Sequence, residues 1–230
     1  MFRTPAISLI ILSAIFLFAG RASAQTGGPV RVEPITCSPA PCVLPPALAS
    51  EGTGINVYAP IAANPEDPRQ AIVGSMDGNC GLSTHIGFHV SSDAGSNWST
   101  TCLPILTAFG QGFEPGSLPL VGYDLNGAAY IGADYEVPGP DGPLVIGIEK
   151  STDGVTWSAP AVALGSANSL ISYASLAIDQ TPSSPYANGV YVLGINFAGS
   201  GQLLASSSRD GGKTWNTAQV VPFPNSASEY

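Results

Sequence analysis

Asp134-Tyr135-Glu136 places an acid, a phenol and a second acid in consecutive positions. Two carboxylates facing one glycosidic bond are what acid/base glycoside chemistry needs. Asp77 and Asn196 follow two other apolar runs that resemble the run before Asp134, so the three residues read as equivalent strand ends. If those strands end toward a common axis, their loops line a cleft. The competing reading, favoured on chemistry alone, is that Asp and Asn at strand ends simply hold turns. Asp77, Asp134, Tyr135 and Glu136 are the catalytic candidates. Other constellations are weaker. His85 and His89 are four residues apart on a segment of strand-like alternation, which separates them by ~13 Å, too far to share an ion. They lack the Glu of a helical zinc motif, and are expected to face solvent or a neighbour. Gly110-Gln111-Gly112 opens no helix and makes a poor phosphate cradle. Neither a Ser-His-Asp order nor a reactive cysteine context is evident. No metal site is expected.

The elements that must position these residues are set by a repeat. Ser91, Asp93, Gly95 and Trp98 recur as Ser151, Asp153, Gly154 and Trp157, and again as Ser208, Asp210, Gly212 and Trp215. The aspartates are 60 and 57 residues apart, and the chain's 3 tryptophans are all used. Apolar runs ending in Asn64, Asp124 and Asp179 recur in step, as do runs beginning at Ala71, Ala129 and Tyr191. Ile86, Phe88 and Val90, then Leu144, Ile146 and Ile148, alternate as half-buried strands do; Leu203 and Ala205 keep the pattern more weakly. Each unit therefore reads as four strands with a tight hairpin before the last. The turn chemistry has a reason. Asp accepts backbone N–H groups that a turn leaves unpaired, Gly takes the positive φ, and Trp buries a large ring after the chain reverses. These positions read as structural. Units of this length mark β-propeller blades.

The pattern Ser-x-Asp-x-Gly-x-Thr-Trp resembles the Asp-box, or bacterial neuraminidase repeat, of the sialidase-like β-propeller superfamily. The copy ending at Trp215 matches fully; Asn97 replaces Thr in the first, and the second is one residue shorter. The resemblance, over about residues 53–222, implies an all-β propeller of four-stranded blades, of which about three are present (53–108, 115–165 and 170–224). It also implies six blades in a complete ring, hence a partial propeller here or a ring completed by self-association with a second copy. For activity, it implies three arginines on a substrate carboxylate, a tyrosine nucleophile activated by a glutamate, and an aspartate acid/base. Beyond residue 24 the chain has only Arg31, Arg69 and Arg209. Arg209 lies inside a hairpin and Arg31 in the leader, so that triad is not expected.

Composition bounds the rest. The chain has 230 residues, 44% hydrophobic and 10% charged, with 27 Gly, 21 Pro and a net charge of −9. The acidity argues against nucleic acid or an anionic membrane as partner. Residues 1–24 combine Arg3, an apolar run from Ala6 to Gly20, and Ala22-Ser23-Ala24. They read as a signal peptide cleaved before Gln25, with no membrane span left in a secreted or periplasmic product. Residues 25–52 read as a Pro/Ala-rich leader, and 53–230 as the propeller. In an oxidising compartment the 4 cysteines favour disulfides, with Cys37–Cys42 and Cys80–Cys102 as the local pairing among three connectivities. No cofactor is expected, with calcium the one ion left open. Two functions fit: non-catalytic recognition of glycan, protein or surface material, or a glycoside hydrolase with part of its site in blades beyond these three.

Overall fold

A computed structural model describes residues 47–50, 56–80, 85–199 and 201–222. The expected signal segment, Arg31, and the Cys37 and Cys42 pair lie outside these residues. Among the described residues no helix is long and apolar enough to cross a membrane.

The chain forms three antiparallel sheets in succession. The first contains β1 (Asn56–Val57), β2 (Ile61–Ala63), β3 (Ala71–Asp77), β4 (Ile86–Ser91) and β5 (Ser99–Cys102). The second contains β6 (Leu106–Ala108), β7 (Gln111–Tyr123), β8 (Ala129–Glu136), β9 (Leu144–Ser151) and β10 (Ala161–Leu164). The third contains β11 (Ile171–Ile178), β12 (Val190–Asn196), β13 (Gln202–Ser208) and β14 (Gln219–Val220). In each sheet the strands pair in chain order, from an innermost strand (β1 with β2, β7, or β11) to an outermost one (β5, β10, or β14). This is the up-and-down order of a propeller blade, and the fold is an all-β partial propeller of three blades. The short strand β6 pairs with the start of β7, adding a hairpin to the second sheet.

The middle sheet is buried on both faces, and strand periodicity divides its side chains. Ala129, Ile131, Ala133 and Tyr135 of β8 join Ile72, Ile86 and Phe88 in the core against the first sheet. Tyr130, with Ile146 and Ile148 of β9, joins Ile171, Val190 and Val192 in the core against the third. Successive Cβ atoms point to opposite faces, so a strand with neighbours on both sides has no solvent face and reads as a continuous buried run. β8 is buried from Ala129 to Tyr135.

The three outer hairpins share one bonding scheme. The hydroxyl of the serine donates to the aspartate and accepts a backbone N–H across the turn: Gly95 N to Ser91 Oγ at 2.9 Å, Gly154 N to Ser151 Oγ at 2.9 Å, and Gly212 N to Ser208 Oγ at 2.8 Å. The aspartate Oδ1 accepts the next orphaned amides: Asn97 N at 2.8 Å, Thr156 N at 2.7 Å, and Thr214 N at 2.9 Å. These bonds hold Asp93, Asp153 and Asp210 below the usual carboxylate range; the side chains of Asn97 and Thr214 and the Thr156 amide are the leading causes. Trp157 packs on the core between the first and second sheets, and Trp215 on the core between the second and third. The inner hairpins use the same chemistry. Asn64, Asp124 and Asp179 each accept the backbone N–H two residues on, from Glu66, Asn126 and Thr181. The Cys80–Cys102 disulfide links the loop after β3 to the end of β5.

Trp157 is only half-buried, so its truncation costs less than a fully buried indole would. Trp157→Ala is expected to destabilise the chain by about 2 kcal/mol, read from the midpoint of urea unfolding. A loss below about 0.5 kcal/mol, the range of ordinary surface substitutions, would remove the ring from the interface.

Candidate functional site

Strand register, anchored on the serines of the outer hairpins, fixes which residues are equivalent. Ala71 pairs with Ser91, Ala129 with Ser151, and Val190 with Ser208. Counting from these pairs, Asp77, Tyr135 and Asn196 share one position, and Met76, Asp134 and Ile195 share the position before it. This corrects the expectation that Asp77, Asp134 and Asn196 are equivalent. The third apolar run is aligned from Val190, not Tyr191, and one residue of slip exchanges the two faces of a strand.

The corrected alignment separates the candidates. Asp77 and Asn196 hold turns. Asp77 Oδ1 accepts from the backbone N and the Nδ2 of Asn79 at 2.9 and 2.6 Å, and Oδ2 accepts from Ser50 Oγ at 3.1 Å. Burial opposes the charge on Asp77, but these bonds outweigh it and leave the carboxyl below its usual range. Asn196 Oδ1 accepts from Leu170 N and Ala198 N, both at 3.1 Å. Asp134 does something else. It faces the third sheet, at a position occupied by Met and Ile in the sheets on either side. It is 0% exposed. Oδ2 accepts hydrogen bonds from Ser172 Oγ of β11 and, at 3.5 Å, from Ser117 Oγ of β7. Oδ1 is buried without a hydrogen-bond partner. Burial, opposed by the two serines and reinforced by the nearby Glu136 carboxylate, pushes the Asp134 acid up to about 7.

The triplet Asp134-Tyr135-Glu136 is not one cluster. Tyr135 faces the first sheet, fully buried, with its ring over Gly147; a Cβ there would stand 2.5 Å from the ring. Its hydroxyl donates to Glu149 Oε1 at 3.4 Å. Burial, with the Glu149 charge added, raises the phenol far above its ordinary value, so it is not an activated nucleophile. Glu149, which the sequence reading missed, is buried and pushed up to about 7 by desolvation. It occupies the register position of His89 and Ser206, both buried as well. His89 does not face solvent, as alternation allowed. Its Nε2 lies 3.0 Å from Ser75 Oγ and 3.7 Å from Asp77 Oδ2, and its Nδ1 lies 2.9 Å from Thr100 Oγ1. Burial lowers its pKa against the pull of Asp77, which favours the neutral imidazole. Buried polar residues thus recur at one position of the third strands, a pattern visible only in register. Among the described residues no group of three His, Cys, Asp or Glu side chains could hold a metal ion.

Glu136 is exposed and pairs in register with Glu114 of β7. Asp134, Glu136 and Glu114, with Ser117 and Ser172, form an acidic site at one end of the innermost strands. Arginine is absent from its described part. Arg69 is bound to Asp67 at 2.8 Å in a turn, and Arg209 lies 3.9 Å from the centre of the Tyr186 ring. Elsewhere, a groove of about 650 Å³ runs between the second and third outer hairpins beside Trp157, Lys150 and Lys213. Glu149 borders it and a second groove of about 490 Å³; Asp134 borders neither.

No family model matches the chain, and no curated protein does. Similar solved structures include the Hadza microbial sialidase Hz136, at 15% identity and a TM-score of 0.48, covering 70% of this chain and 36% of that one. A Niastella koreensis GH74 enzyme is similar at 16% identity and a TM-score of 0.41, over 70% of this chain and 22% of its own. A Dyadobacter fermentans protein of unknown function is similar at 11% identity and a TM-score of 0.34, over 74% and 70% of the two chains. The chain thus spans about a third of the sialidase and about a fifth of the GH74 enzyme.

Asp134 binds its proton more tightly when folded than the unfolded carboxyl does, whose pKa is about 4. The folded state therefore holds more protons between about pH 4 and 7, and the stability from this group falls as pH rises through that window. Asp134→Asn should gain in melting temperature relative to the wild type between pH 5 and pH 8. Parallel pH profiles for the two proteins would refute a buried, proton-holding Asp134.

Proposed function

We propose that the chain is a secreted propeller segment that recognises glycan, without turnover, through the acidic end of its innermost strands. The observation that carries this reading is the division of the acid-phenol-acid triplet. Asp134 is sealed between two sheets and Tyr135 is committed to the other interface, which leaves Glu136 as the only exposed member. Glycoside hydrolysis needs an acid and a second carboxylate or activated nucleophile on one bond, and the triplet does not supply that pair. The placement of Arg69 and Arg209 in turns at the periphery adds to this, since neither reaches Asp134. Glycan is favoured as the ligand class because carboxylates accept sugar hydroxyls and exposed aromatic rings lie close by, at Tyr173 and Phe197.

A second reading has its own observation. A carboxylic acid whose burial holds it near pH 7 is the usual environment of a general acid, and Asp134 has it. In this reading the chain is a glycoside hydrolase whose remaining groups lie outside the described residues.

A glycan array and a panel of fluorogenic glycosides separate the two. Binding with no fluorophore released above the buffer rate is the expected result. Turnover that disappears in Asp134→Asn would replace recognition with hydrolysis.

A further inference from the structure

The innermost strand of each sheet is broken at the same place. One extra residue is inserted against β3 between Val57 and Ile61, against β8 between Ser117 and Leu120, and against β12 between Ser172 and Ser175. In each bulge one residue has left-handed backbone: Tyr58 at φ 53°, Leu118 at φ 53°, and Tyr173 at φ 52°. The registers make the three equivalent, each following the residue that pairs with Met76, Asp134 or Ile195. Glycine would adopt this conformation freely; a bulky side chain there is strained. Two of the three are nevertheless tyrosines, 62% and 68% exposed, so burial does not repay the strain.

The third bulge carries most detail. The Tyr173 ring meets the Phe197 ring edge-on, with centroids 5.9 Å apart, and Phe197 is itself 49% exposed. Ser172, immediately before Tyr173, donates its hydroxyl to Oδ2 of the buried Asp134, whose Oδ1 has no partner. An exposed aromatic pair, one member of it on left-handed backbone, therefore adjoins the acidic site through Ser172.

Resting on the glycan reading above, we infer that Tyr173 and Phe197 are the stacking platform of the site, and that its ligand is a neutral, hydroxyl-rich sugar rather than an acidic one. The apolar face of a pyranose stacks on one ring while the other, inclined at 63°, walls its edge, and its hydroxyls donate to Glu136. A ligand carboxylate would meet Glu136 and Glu114 with no described arginine beside them. Holding Tyr173 in its bulge before the ligand arrives lowers the ordering cost of binding.

The test is calorimetric titration of the full chain with cellohexaose, xylohexaose, mannohexaose and chitohexaose, and with 3′-sialyllactose as the acidic probe. At least one neutral hexasaccharide should bind and sialyllactose should not. Tyr173→Ala and Phe197→Ala should weaken that binding at least tenfold, and Tyr173→Phe should retain it. Tyr173→Gly keeps the bulge without strain, so it should fold with a melting temperature no lower than the wild type's and still lose the sugar. Neutral-sugar binding that survives these substitutions, or binding of sialyllactose alone, overturns the platform while leaving glycan recognition intact. A wild-type dimer that dissociates in Tyr173→Ala, seen by light scattering, would assign the rings to a second copy and also overturn it. If nothing on the array or in the calorimeter binds, the recognition reading itself fails.

Discussion

Burying both faces of one sheet is the constraint on which the rest of this chain depends. A pleated strand sends alternate side chains to opposite sides, so β8 and β9 must satisfy two interfaces with one sequence. Gly132 and Gly147 sit where the middle sheet is most crowded: a Cβ at either would fall within about 2.5 Å of neighbouring atoms. Polar side chains survive there only where a partner is at hand. Tyr130 donates to Asp124 at 3.0 Å, and Lys150 lies 3.6 Å from the same carboxylate. The outer hairpins can be polar and repetitive because their hydrogen bonds are local, each turn bonded by its own Ser and Asp.

That contrast explains what could be read from the chain alone. The hairpins announce themselves, since Ser91, Asp93 and Trp98 lie within eight residues of one another and their recurrence needs no three-dimensional information. Four-stranded sheets and a propeller architecture follow from their period. The faces of the strands do not follow. Asp134 and Tyr135 are neighbours in sequence, and their assignment to opposite interfaces depends on a register that apolar runs fix only to within a residue. Aligning the third run on Tyr191 instead of Val190 grouped Asp134 with Asn196, and taking Asp77 as the matching end of the first run overlooked that it lies one residue further along; together these hid the resemblance in position of Asp134 to Met76 and Ile195. Glu149 escaped notice, and the burial of His89 was not legible, for a related reason. A charged residue inside an alternating strand is ordinarily assigned to solvent, and no local signal says that a second sheet covers it.

The buried acids divide along the same lines. Glu149 is shared with Tyr135 inside the interface with the first sheet, and its oxygen has a phenol to accept from. Asp77 is saturated by Asn79 and Ser50. Asp134 alone among them leaves an oxygen buried with no partner, in a slot that apolar side chains fill in the other two sheets. A buried polar atom without a hydrogen bond costs roughly 1–3 kcal/mol, which Met or Ile in that slot would avoid. Packing therefore gives no reason for an acid there.

Two departures from local preference thus meet on adjacent residues. Ser172 secures the misplaced acid, and Tyr173 holds a left-handed conformation that suits glycine. Chains that fold to a single structure satisfy propensity, pattern and polar pairing nearly everywhere, and their exceptions concentrate where function demands them. In the outer hairpins the half-buried tryptophans and the carboxylates paired to backbone amides agree with local preference, Ala94 at φ 60° being the exception, and the stability they supply can carry the innermost strands. If the bulges served only to curve the sheets, glycine at residues 58, 118 and 173 would do so without strain. The selection of exposed tyrosine at two of those three sites, with Phe197 against one of them, is what a surface for binding requires and what a merely curved strand does not.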